Sequence, residues 1–270
     1  MAHPSSPALG ASLDLPRSAE DSRARLRRAE RFGHEILPRV SRTFALSIRV
    51  LPGALGRAVL AAYLVCRVAD TIEDDPALPA PDKARLLDAL LEALDDAGAA
   101  DRLPARLAGL AGEPAHVALC ANADLVLLLY RALDDASRAS VREWAGEMVT
   151  GMRQFVLRYP NGIRIETLDE YREYCYYVAG TVGYMLTDLW RTHAPGIDAA
   201  RYAALRERCR AFAEALQTVN ILKDVAVDAE TENSIYVPAR ALAAHGSAHA
   251  TLLSPAHRTR NLAAMEELVQ

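Results

Sequence analysis

The stretch "AVLAAYLVCRVADTIEDDP", residues 58–76, places four acids directly after an apolar run. The apolar run predicts the middle of a buried helix, and Asp70, Glu73, Asp74 and Asp75 crowd the end of that helix. A helix normally favours basic side chains in its last turn, because its macrodipole is negative there. Acids at this position therefore need another source of positive charge close by.

The acids of this stretch share one side of the predicted helix. At about 100° per residue, Arg67, Asp70 and Asp74 fall within one sector of about 60°, with Tyr63 among them and Glu73 beside them. Side chains one turn apart lie within about 6 Å, so Asp70 and Asp74 repel each other unless a cation or an arginine lies between them. The opposite face is apolar and carries Ala61, Val65, Val68 and Ile72.

A second stretch, "QTVNILKDVAVD" at 217–228, repeats this arrangement. Its polar stripe is about 80° wide at the same rotation per residue and carries Gln217, Asn220, Asp224 and Asp228. Carboxylate oxygens of this kind suit Mg²⁺, which takes one or two carboxylates together with substrate phosphate and water. Two such stripes facing each other predict a site for a cluster of Mg²⁺ ions and a diphosphate. The far side of this helix carries Leu216, Val219, Leu222 and Ala226.

The alternative for each acidic stripe is a solvated helix face. Two features weigh against it. Neither stripe has the basic partner at i+4 that is typical of a solvent-exposed face, and both stripes lie beside long apolar runs. The pattern by itself names no substrate.

Composition narrows the class of protein. The chain has 270 residues, is 51% apolar and carries a formal net charge of −4, with a pI near 6.0. This net charge is not the basic charge that is typical of proteins that bind nucleic acid. No apolar run approaches the roughly 18 residues that a membrane-spanning helix needs. The cysteines lie far apart without a C-x-x-C pair, which predicts reduced thiols and a cytoplasmic protein. They are Cys66, Cys120, Cys175 and Cys209.

Helical periodicity dominates the chain after its first 18 residues. Residues 1–18, rich in Pro, Ser and Gly, predict a disordered tail, and residues 19–270 predict one all-α domain without a sheet. The "IYVP" segment that begins at residue 235 is expected to be extended. The predicted helices span 19–33, 39–48, 53–75, 81–98, 101–112, 115–134, 136–158, 167–190, 198–229 and 255–270.

With these motifs the chain resembles the squalene/phytoene synthase family, the head-to-head branch of the trans-prenyltransferases. Four elements carry the resemblance in the same order, over about residues 35–240. The third is close to the form most typical of squalene synthases. The elements are "SRTF" (41–44), "YLVCRVADTIEDD" (63–75), "YCYYVAGTVG" (174–183) and "LQTVNILKDVAVD" (216–228).

The resemblance implies an isoprenoid-synthase helical bundle around a central cavity. It also implies Mg²⁺-dependent condensation of two farnesyl diphosphates, through presqualene diphosphate, to squalene. A phytoene or dehydrosqualene synthase that stops before reduction is the alternative within the family. A class I terpene cyclase and a non-catalytic helical adaptor with the same fold are further alternatives. The apolar product implies a peripheral contact with a membrane.

The resemblance assigns the polar residues to metal and diphosphate. Asp70, Asp74, Asp224 and Asp228 would coordinate Mg²⁺, with Glu73 as a further ligand or a neighbour of the ligands. Arginine holds phosphate oxygens by bidentate hydrogen bonds that lysine does not reproduce. The side chains expected to bind the substrate diphosphate are Ser41, Arg42, Arg67, Gln217 and Asn220.

Aromatic residues are expected to line the deeper part of the cavity. A carbocation needs a dry apolar site, and aromatic faces stabilise positive charge, which points to Phe44, Tyr63 and Tyr177. By resemblance, Tyr177 also assists proton removal during cyclopropane formation. An unperturbed tyrosine pKa near 10 makes it a weak base, so the departing diphosphate is a rival for that task. Ordinary core packing is the alternative for each of these aromatic residues.

Three departures from the family pattern bear on function. Squalene synthases often have Gly-Arg before an aromatic-x-Pro sequence, whereas this chain has "AETENSIYVP" at 229–238. Family members commonly have further C-terminal helices, so the domain 19–270 is expected to lack some of them. No G-x-G-x-x-G follows a predicted strand. Squalene synthases bind NADPH without that motif, and the use of NADPH therefore stays open.

Overall fold

The computed structural model describes residues 15–41 and 43–269, with side chains from Glu20 onward. This part of the chain contains no strand, which confirms the all-α prediction, and one isolated parallel bridge joins Arg164 to Ile235. A π-helical segment, Tyr176–Gly180, links two helices, and short 3₁₀ turns occur near the C-terminus. The α-helices are α1 (Leu15–Val40), α2 (Thr43–Arg49), α3 (Gly53–Glu73), α4 (Ala80–Asp95), α5 (Ala97–Arg106), α6 (Pro114–Cys120), α7 (Ala123–Arg131), α8 (Asp135–Arg158), α9 (Leu168–Cys175), α10 (Thr181–His193), α11 (Ala199–Thr231), α12 (Ala239–Ala244) and α13 (Arg258–Glu266).

Helix α3 forms the centre of the bundle. It packs against α1, α4, α6, α7, α8 and α10. The face predicted to be apolar is buried as expected, since Ala61, Val65, Val68 and Ile72 are each at most 1% exposed. The helix ends at Glu73, and the Asp74 amide donates to the Asp70 carbonyl at 2.8 Å. The buried face therefore fixes the direction in which the acids of the opposite side point.

The N-terminal helix is longer than predicted. A break was expected between residues 33 and 39, but α1 runs through Gly33 and Pro38 to Val40. A Cβ on Gly33 would lie 2.9 Å from Leu129 Cδ1, so this glycine serves a close approach to α7 instead of ending the helix. Helix α1 begins at Leu15, inside the segment predicted to be a disordered tail, and residues 1–14 lie outside the described part of the chain.

Several other predicted boundaries were wrong by a few residues. The helix expected at 115–134 is two helices, α6 and α7, which meet at a short turn ending at Asn122. The helices expected at 81–98 and 101–112 are α4 and α5, because Asp96 ends the first and caps the second by accepting from Ala99 N at 2.5 Å. Helix α12 was not predicted, and the C-terminal helix is interrupted by 3₁₀ turns. All four cysteines are free.

The helix expected at 167–190 is interrupted by the π-helical segment Tyr176–Gly180. The Thr181 amide bonds to the Tyr176 carbonyl, five residues back, and the Thr181 hydroxyl donates to the Tyr177 carbonyl at 2.7 Å. Short π-helical segments of this kind are frequent at functional sites. The extra residue rotates the helix, so side chains before and after it point in different directions from those of a regular helix.

Helix α11 packs along one side only. It contacts the π-helical segment and α10, and its buried residues are Thr218 and Ile221. A Cβ on Gly183 would lie 2.6 Å from the Cys209 carbonyl oxygen, so α10 and α11 approach closely there. The apolar far side predicted from the sequence is not covered, since Leu216 and Val219 are 45% and 59% exposed. Ala226 is also exposed, and Leu222 is half-buried.

The contact between α10 and α11 depends on Gly183. We expect Gly183→Ala to lower the free energy of unfolding by about 1 to 3 kcal/mol, because the new methyl group meets a backbone carbonyl that cannot rotate away. Urea denaturation measures this loss. Gly109→Ala is the matched control, since a Cβ at that position would have no neighbouring atom within 4 Å. Equal stability of the two variants would contradict the close helix approach.

Candidate active site

Arg67 and Asp70 form an ion pair on the polar side of α3, where both side chains are half-buried. Arg67 Nη1 donates to Asp70 Oδ2 at 3.1 Å, and Arg67 Nη2 lies 3.4 Å from His116 Nε2 on α6. Arg67 Nε is buried and has no hydrogen-bond partner among the described residues. Burial raises the pKa of Asp70 although Arg67 opposes the shift. Arg67 therefore pairs with an acid of this sector, and His116 joins the pair from a neighbouring helix.

Glu73 and Asp74 carry negative charge that nearby bases do not balance. Glu73 is 6% exposed, and its Oε1 has no hydrogen-bond partner in the described structure. Burial, and then Asp74, raise the pKa of Glu73. The pKa of Asp74 is raised well above its usual value by burial, then by Glu232 and Asp70. Both carboxyls thus lack the positive charge that their ionised forms require.

Asp75, the fourth acid of this stretch, has a structural task. It is 2% exposed, and its two oxygens accept from the amides of Ala77 at 2.8 Å and Ala111 at 2.7 Å. These bonds fasten the turn after α3 to the segment between α5 and α6. Asp75 therefore fixes the end of α3, from which the other acids project.

The carboxylates of α11 face those of α3. The pKa of Asp228 is raised to about 7 by burial, then by Asp224 and Asp74. The pKa of Glu232 is also raised to about 7, by burial and then by Asp228. Asp74 lies at the end of α3 and Asp228 on α11, so the effect of Asp74 on the pKa of Asp228 indicates that the two acidic stripes lie close to each other. Glu232, one turn beyond Asp228, extends the second stripe.

Two lysines stand beside these acids. Lys83 on α4 donates to the Glu73 carbonyl oxygen, which is at the C-terminus of α3. Burial lowers the pKa of Lys83, although Asp74 and Glu73 oppose the shift. Lys223 Nζ lies 3.1 Å from Asp224 Oδ2. Lys83 supplies part of the positive charge that the end of α3 requires, without balancing the whole cluster.

The donor set fits divalent cations. Within the described residues no three His, Cys, Asp or Glu side chains converge as a ready-made metal site. The two stripes instead offer hard carboxylate oxygens from both sides, including the unpartnered Oε1 of Glu73. Mg²⁺ typically takes only one or two carboxylates and completes its shell with phosphate and water. The arrangement therefore suits metal ions held jointly by protein and diphosphate.

The predicted SRTF element lies next to Tyr63. The Ser41 hydroxyl accepts from the Phe44 amide at 3.1 Å, and the Tyr63 hydroxyl donates to the Val40 carbonyl at 3.2 Å. The rings of Phe44 and Tyr63 have centroids 6.1 Å apart. Phe44 is 49% exposed, so it borders the site instead of lying deep within it. Arg42 lies outside the described residues.

Tyr177 packs against α8. A Cβ on Gly151 would lie 2.0 Å from Tyr177 Cγ, and the Phe155 ring meets the Tyr177 ring edge-on with centroids 6.4 Å apart. Gly151 is therefore needed to seat this ring. The Tyr177 hydroxyl makes no hydrogen bond to a described residue, which leaves it free for another partner.

A buried tyrosine pair lies beneath the acids. Tyr174 and Tyr236 stack with centroids 4.8 Å apart, and the Tyr174 hydroxyl donates to Tyr236 at 3.3 Å. Burial, and then Glu73, raise the pKa of both phenols. The pair joins α9 to the segment that follows α11.

That segment, at 232–238, is held by the loop before α9. The Ile235 amide donates to the Ile163 carbonyl at 2.8 Å, and the Ile165 amide donates to the Ile235 carbonyl at 3.2 Å. Arg164 donates to Asn233, whose φ of 50° places it in the left-handed region. The expectation of extended structure at 235 is thus met, and Arg164 brings positive charge beside a segment that has none of its own.

Gln217 and Asn220 lie on α11 in the two turns that precede Asp224. Asn220 is exposed and Gln217 is half-buried. Neither side chain bonds to a described residue. The same turn is anchored by Thr218, whose hydroxyl accepts from Tyr171 at 2.8 Å.

Sequence reasoning missed His116, Lys83, Glu232 and the Tyr174–Tyr236 pair. One signal was available for Lys83. The chain has 29 arginines and only two lysines, Lys83 and Lys223, and both lie close to an acidic motif. Nothing in the spacing pointed to His116, because its approach to Arg67 depends on how α6 packs on α3.

The helical bundle and its paired acidic stripes define an isoprenoid-synthase type of fold. The family model described as squalene/phytoene synthase matches residues 37–270, so the chain belongs to the squalene/phytoene synthase family. This match confirms the resemblance drawn from the four sequence elements.

The chain is similar to several known members. It is 28% identical over 260 residues to the squalene synthase of Schizosaccharomyces pombe, covering 94% of this chain and 54% of that protein. It is 30% identical over 198 residues to a lycopaoctaene synthase of Botryococcus braunii, covering 73% and 41%. The solved complex of TcSQS with the ligand BPH1237 aligns with a TM-score of 0.76 at 27% identity, covering 89% and 67%. The chain thus spans about half the length of the two sequence relatives.

The raised pKa values predict how pH affects the metal-free protein. A carboxyl whose folded pKa lies above its unfolded value binds its proton more tightly when folded, so stability is present at low pH and is lost as pH rises. For Asp228 and Glu232 this window runs from about 4 up to about 7. We expect the melting temperature in EDTA to fall from pH 5 to pH 7.5.

Asp228→Asn should reduce that fall, because the amide does not titrate. Added Mg²⁺ should reduce it as well. Glu230→Gln, on the same helix and exposed, should leave the fall unchanged. A melting temperature that rises over this window would show that the acids are balanced by bases in the folded protein.

Proposed function

We propose that the protein catalyses Mg²⁺-dependent head-to-head condensation of two farnesyl diphosphates, through presqualene diphosphate, to squalene. The observation that carries this proposal is the pair of facing acidic stripes on α3 and α11, whose negative charge nearby bases do not balance. A diphosphate cannot approach such a cluster without metal ions. Membership of the squalene/phytoene synthase family supports the reaction class.

The metal ions would lie between Asp70 and Asp74 on one side and Asp224 and Asp228 on the other, with Glu73 close to them. When bound, Mg²⁺ acts as a Lewis acid on the leaving diphosphate. The role of the protein is to hold these oxygens in place, and α3 does so through its buried face and the bonds of Asp75.

Arg67 and Ser41 are proposed to bind the diphosphate, together with Arg42, Gln217 and Asn220. Arg67 already donates to Asp70 and has an unpartnered buried Nε. Its remaining guanidinium donors would bind a phosphate oxygen while Nη1 keeps the ion pair with Asp70.

The isoprenoid chains are proposed to meet the aromatic residues Phe44, Tyr63 and Tyr177. Their rings would stabilise positive charge. The departing diphosphate would accept the proton lost on ring formation, with the unbonded Tyr177 hydroxyl relaying it. NADPH would be required for the reductive step to squalene. The protein is proposed to act in the cytoplasm at a membrane, where its apolar product partitions.

A phytoene or dehydrosqualene synthase is the second candidate. The similarity to the lycopaoctaene synthase, at 30% identity, is no weaker than that to the squalene synthase of S. pombe, at 28%. Identity at this level does not choose between products. A terpene cyclase and a non-catalytic adaptor are not favoured by any contact in the site.

Incubation with farnesyl diphosphate and Mg²⁺, with and without NADPH, tests the proposed function. Mass spectrometry of the extract should show squalene with NADPH and presqualene diphosphate without it. Dehydrosqualene under both conditions would identify the second candidate. A cyclic monomeric terpene would indicate a cyclase. Absence of diphosphate release would overturn the enzymatic proposal.

Glu232 is proposed to strengthen metal binding from the end of the second stripe. We expect Glu232→Gln to raise the Mg²⁺ concentration for half-maximal turnover about 10- to 100-fold, the range typical of residues that support metal ligands. Asp224→Asn should abolish turnover. Both variants should also lose part of the Mg²⁺-induced rise in melting temperature, which is measured without substrate.

Glu230→Gln is the matched control for both changes, because Glu230 is on the same helix but exposed. If Glu232→Gln behaves like this control in the melting experiment, Glu232 has no part in metal binding. A loss of helicity in the Asp224→Asn variant would mean that the acids stabilise the fold instead of binding metal.

A further inference from the structure

The N-terminal part of the described chain differs in charge from the remainder. Residues 20–57 contain nine arginines and four acids, although the whole chain carries a net charge of −4. One of the nine, Arg42, lies outside the described residues. Arg25 is paired with Asp101 at 2.5 Å and Asp124 at 3.4 Å. The excess of positive charge therefore belongs to α1, α2 and the start of α3, and it is opposite in sign to the net charge of the whole chain.

Four of these arginines border a groove of about 830 Å³ between α1, α2, α3 and α7. They are exposed, and none of them forms an ion pair with a described residue. Glu30 and Glu35 also line the groove, so its rim retains a net positive charge. The floor is apolar and includes Leu26, Ile48 and Leu60. The four arginines are Arg27, Arg31, Arg49 and Arg57.

Two aliphatic side chains stand out beside this groove. Leu46 on α2 and Val50, directly after α2, are 71% and 79% exposed, whereas Ala45 and Ile48 of α2 are buried. The next turn continues with Leu51 and Pro52. A small soluble anion in the groove would not contact aliphatic side chains that project outward past the rim. A partner with an anionic surface and an apolar interior would match both the arginine rim and the exposed aliphatic side chains.

We propose that α2 and the arginine rim form a docking surface for an anionic lipid bilayer. Leu46 and Val50 would enter the interfacial region, as apolar residues of membrane-surface helices do, and the four arginines would contact lipid phosphates. No described helix is long and apolar enough to cross a membrane, so the contact would be peripheral. The inference rests on the charge of the arginine rim and the exposure of Leu46 and Val50. It also rests on the proposed function, to which it adds the surface that would contact the membrane.

The same helix connects this surface to the site. Phe44, at the start of α2, packs on Tyr63 with centroids 6.1 Å apart, and Arg49, at its end, lines the groove. The helix has seven residues, which makes it about 10 Å long. Docking through α2 would therefore place the aromatic border of the site close to the lipid in which isoprenoid chains dissolve.

Sedimentation with vesicles tests the proposal. We expect the protein to bind vesicles of phosphatidylcholine mixed with phosphatidylglycerol, and to bind phosphatidylcholine alone only weakly. Arg49→Gln combined with Arg57→Gln should lower the partition coefficient about 25-fold, since each arginine near such a surface contributes about fivefold. Raised salt should have a similar effect on the wild type. Leu46→Ser combined with Val50→Ser should lower it at least about tenfold.

Matched controls separate this surface from general charge and hydrophobicity. Arg208→Gln with Arg258→Gln removes two exposed arginines of α11 and α13 that form no ion pair with a described residue. Leu157→Ser with Leu253→Ser removes two exposed leucines elsewhere. Both should bind vesicles like the wild type. Turnover of farnesyl diphosphate in detergent should be unchanged in all four variants, so failure of docking and failure of catalysis are distinguishable.

Three results would overturn the proposal. The first is wild-type binding that does not depend on anionic lipid. The second is loss of binding in the control pairs as large as in the test pairs. The third is that inorganic diphosphate binds the groove without releasing the protein from vesicles. This result would make the arginine rim a site for a soluble anion.

Discussion

Electrostatic repulsion between the acids at the end of α3 and those of α11 is the constraint on which the site depends. Burial raises the pKa of Glu73 and Asp74 on one side and of Asp228 and Glu232 on the other, and neighbouring acids raise it further. Lys83 offsets part of this repulsion, because it donates to the Glu73 carbonyl oxygen at the end of α3 and brings a positive charge there. The fold therefore holds together side chains that would separate if they were free, and the energy for doing so comes from apolar packing elsewhere. Divalent cations relieve the repulsion and attract a diphosphate.

The packing around the site explains how the repulsion is withstood. Helix α3 is buried on nearly every side and is fastened at its end by Asp75. Helix α11 is held differently, by close approach to α10 at Gly183 and by the stacked tyrosines that tie the segment after it to α9. Its other side remains exposed at Leu216 and Val219. One acidic stripe is thus set on a rigid central helix and the other on a helix fixed along a single face.

The sequence predicted those features that follow from periodicity. The faces of α3 and the polar stripe of α11 follow directly from spacing, and the four family elements identified the class of protein. Other features depend on contacts between distant segments and left no local signal. Gly33 was predicted to end a helix because its close contact with Leu129 of α7 cannot be seen in the local sequence. The π-helical segment has the same apolar periodicity as an ordinary helix and was therefore not predicted. Glu232 and His116 fell outside the motifs, and the pairing of Ile235 with Ile163 was not foreseeable from either segment alone.

The central claim is that metal ions bridge the two stripes. A crystal structure with Mn²⁺ and a non-hydrolysable thio analogue of farnesyl diphosphate tests it most directly, because the anomalous signal of manganese locates each ion. The account predicts ions between Asp70 or Asp74 and the diphosphate, and between Asp224 or Asp228 and the same diphosphate, with oxygen ligands at about 2.1 to 2.2 Å. Ions bound to one stripe only, or a diphosphate bound away from both, would contradict it.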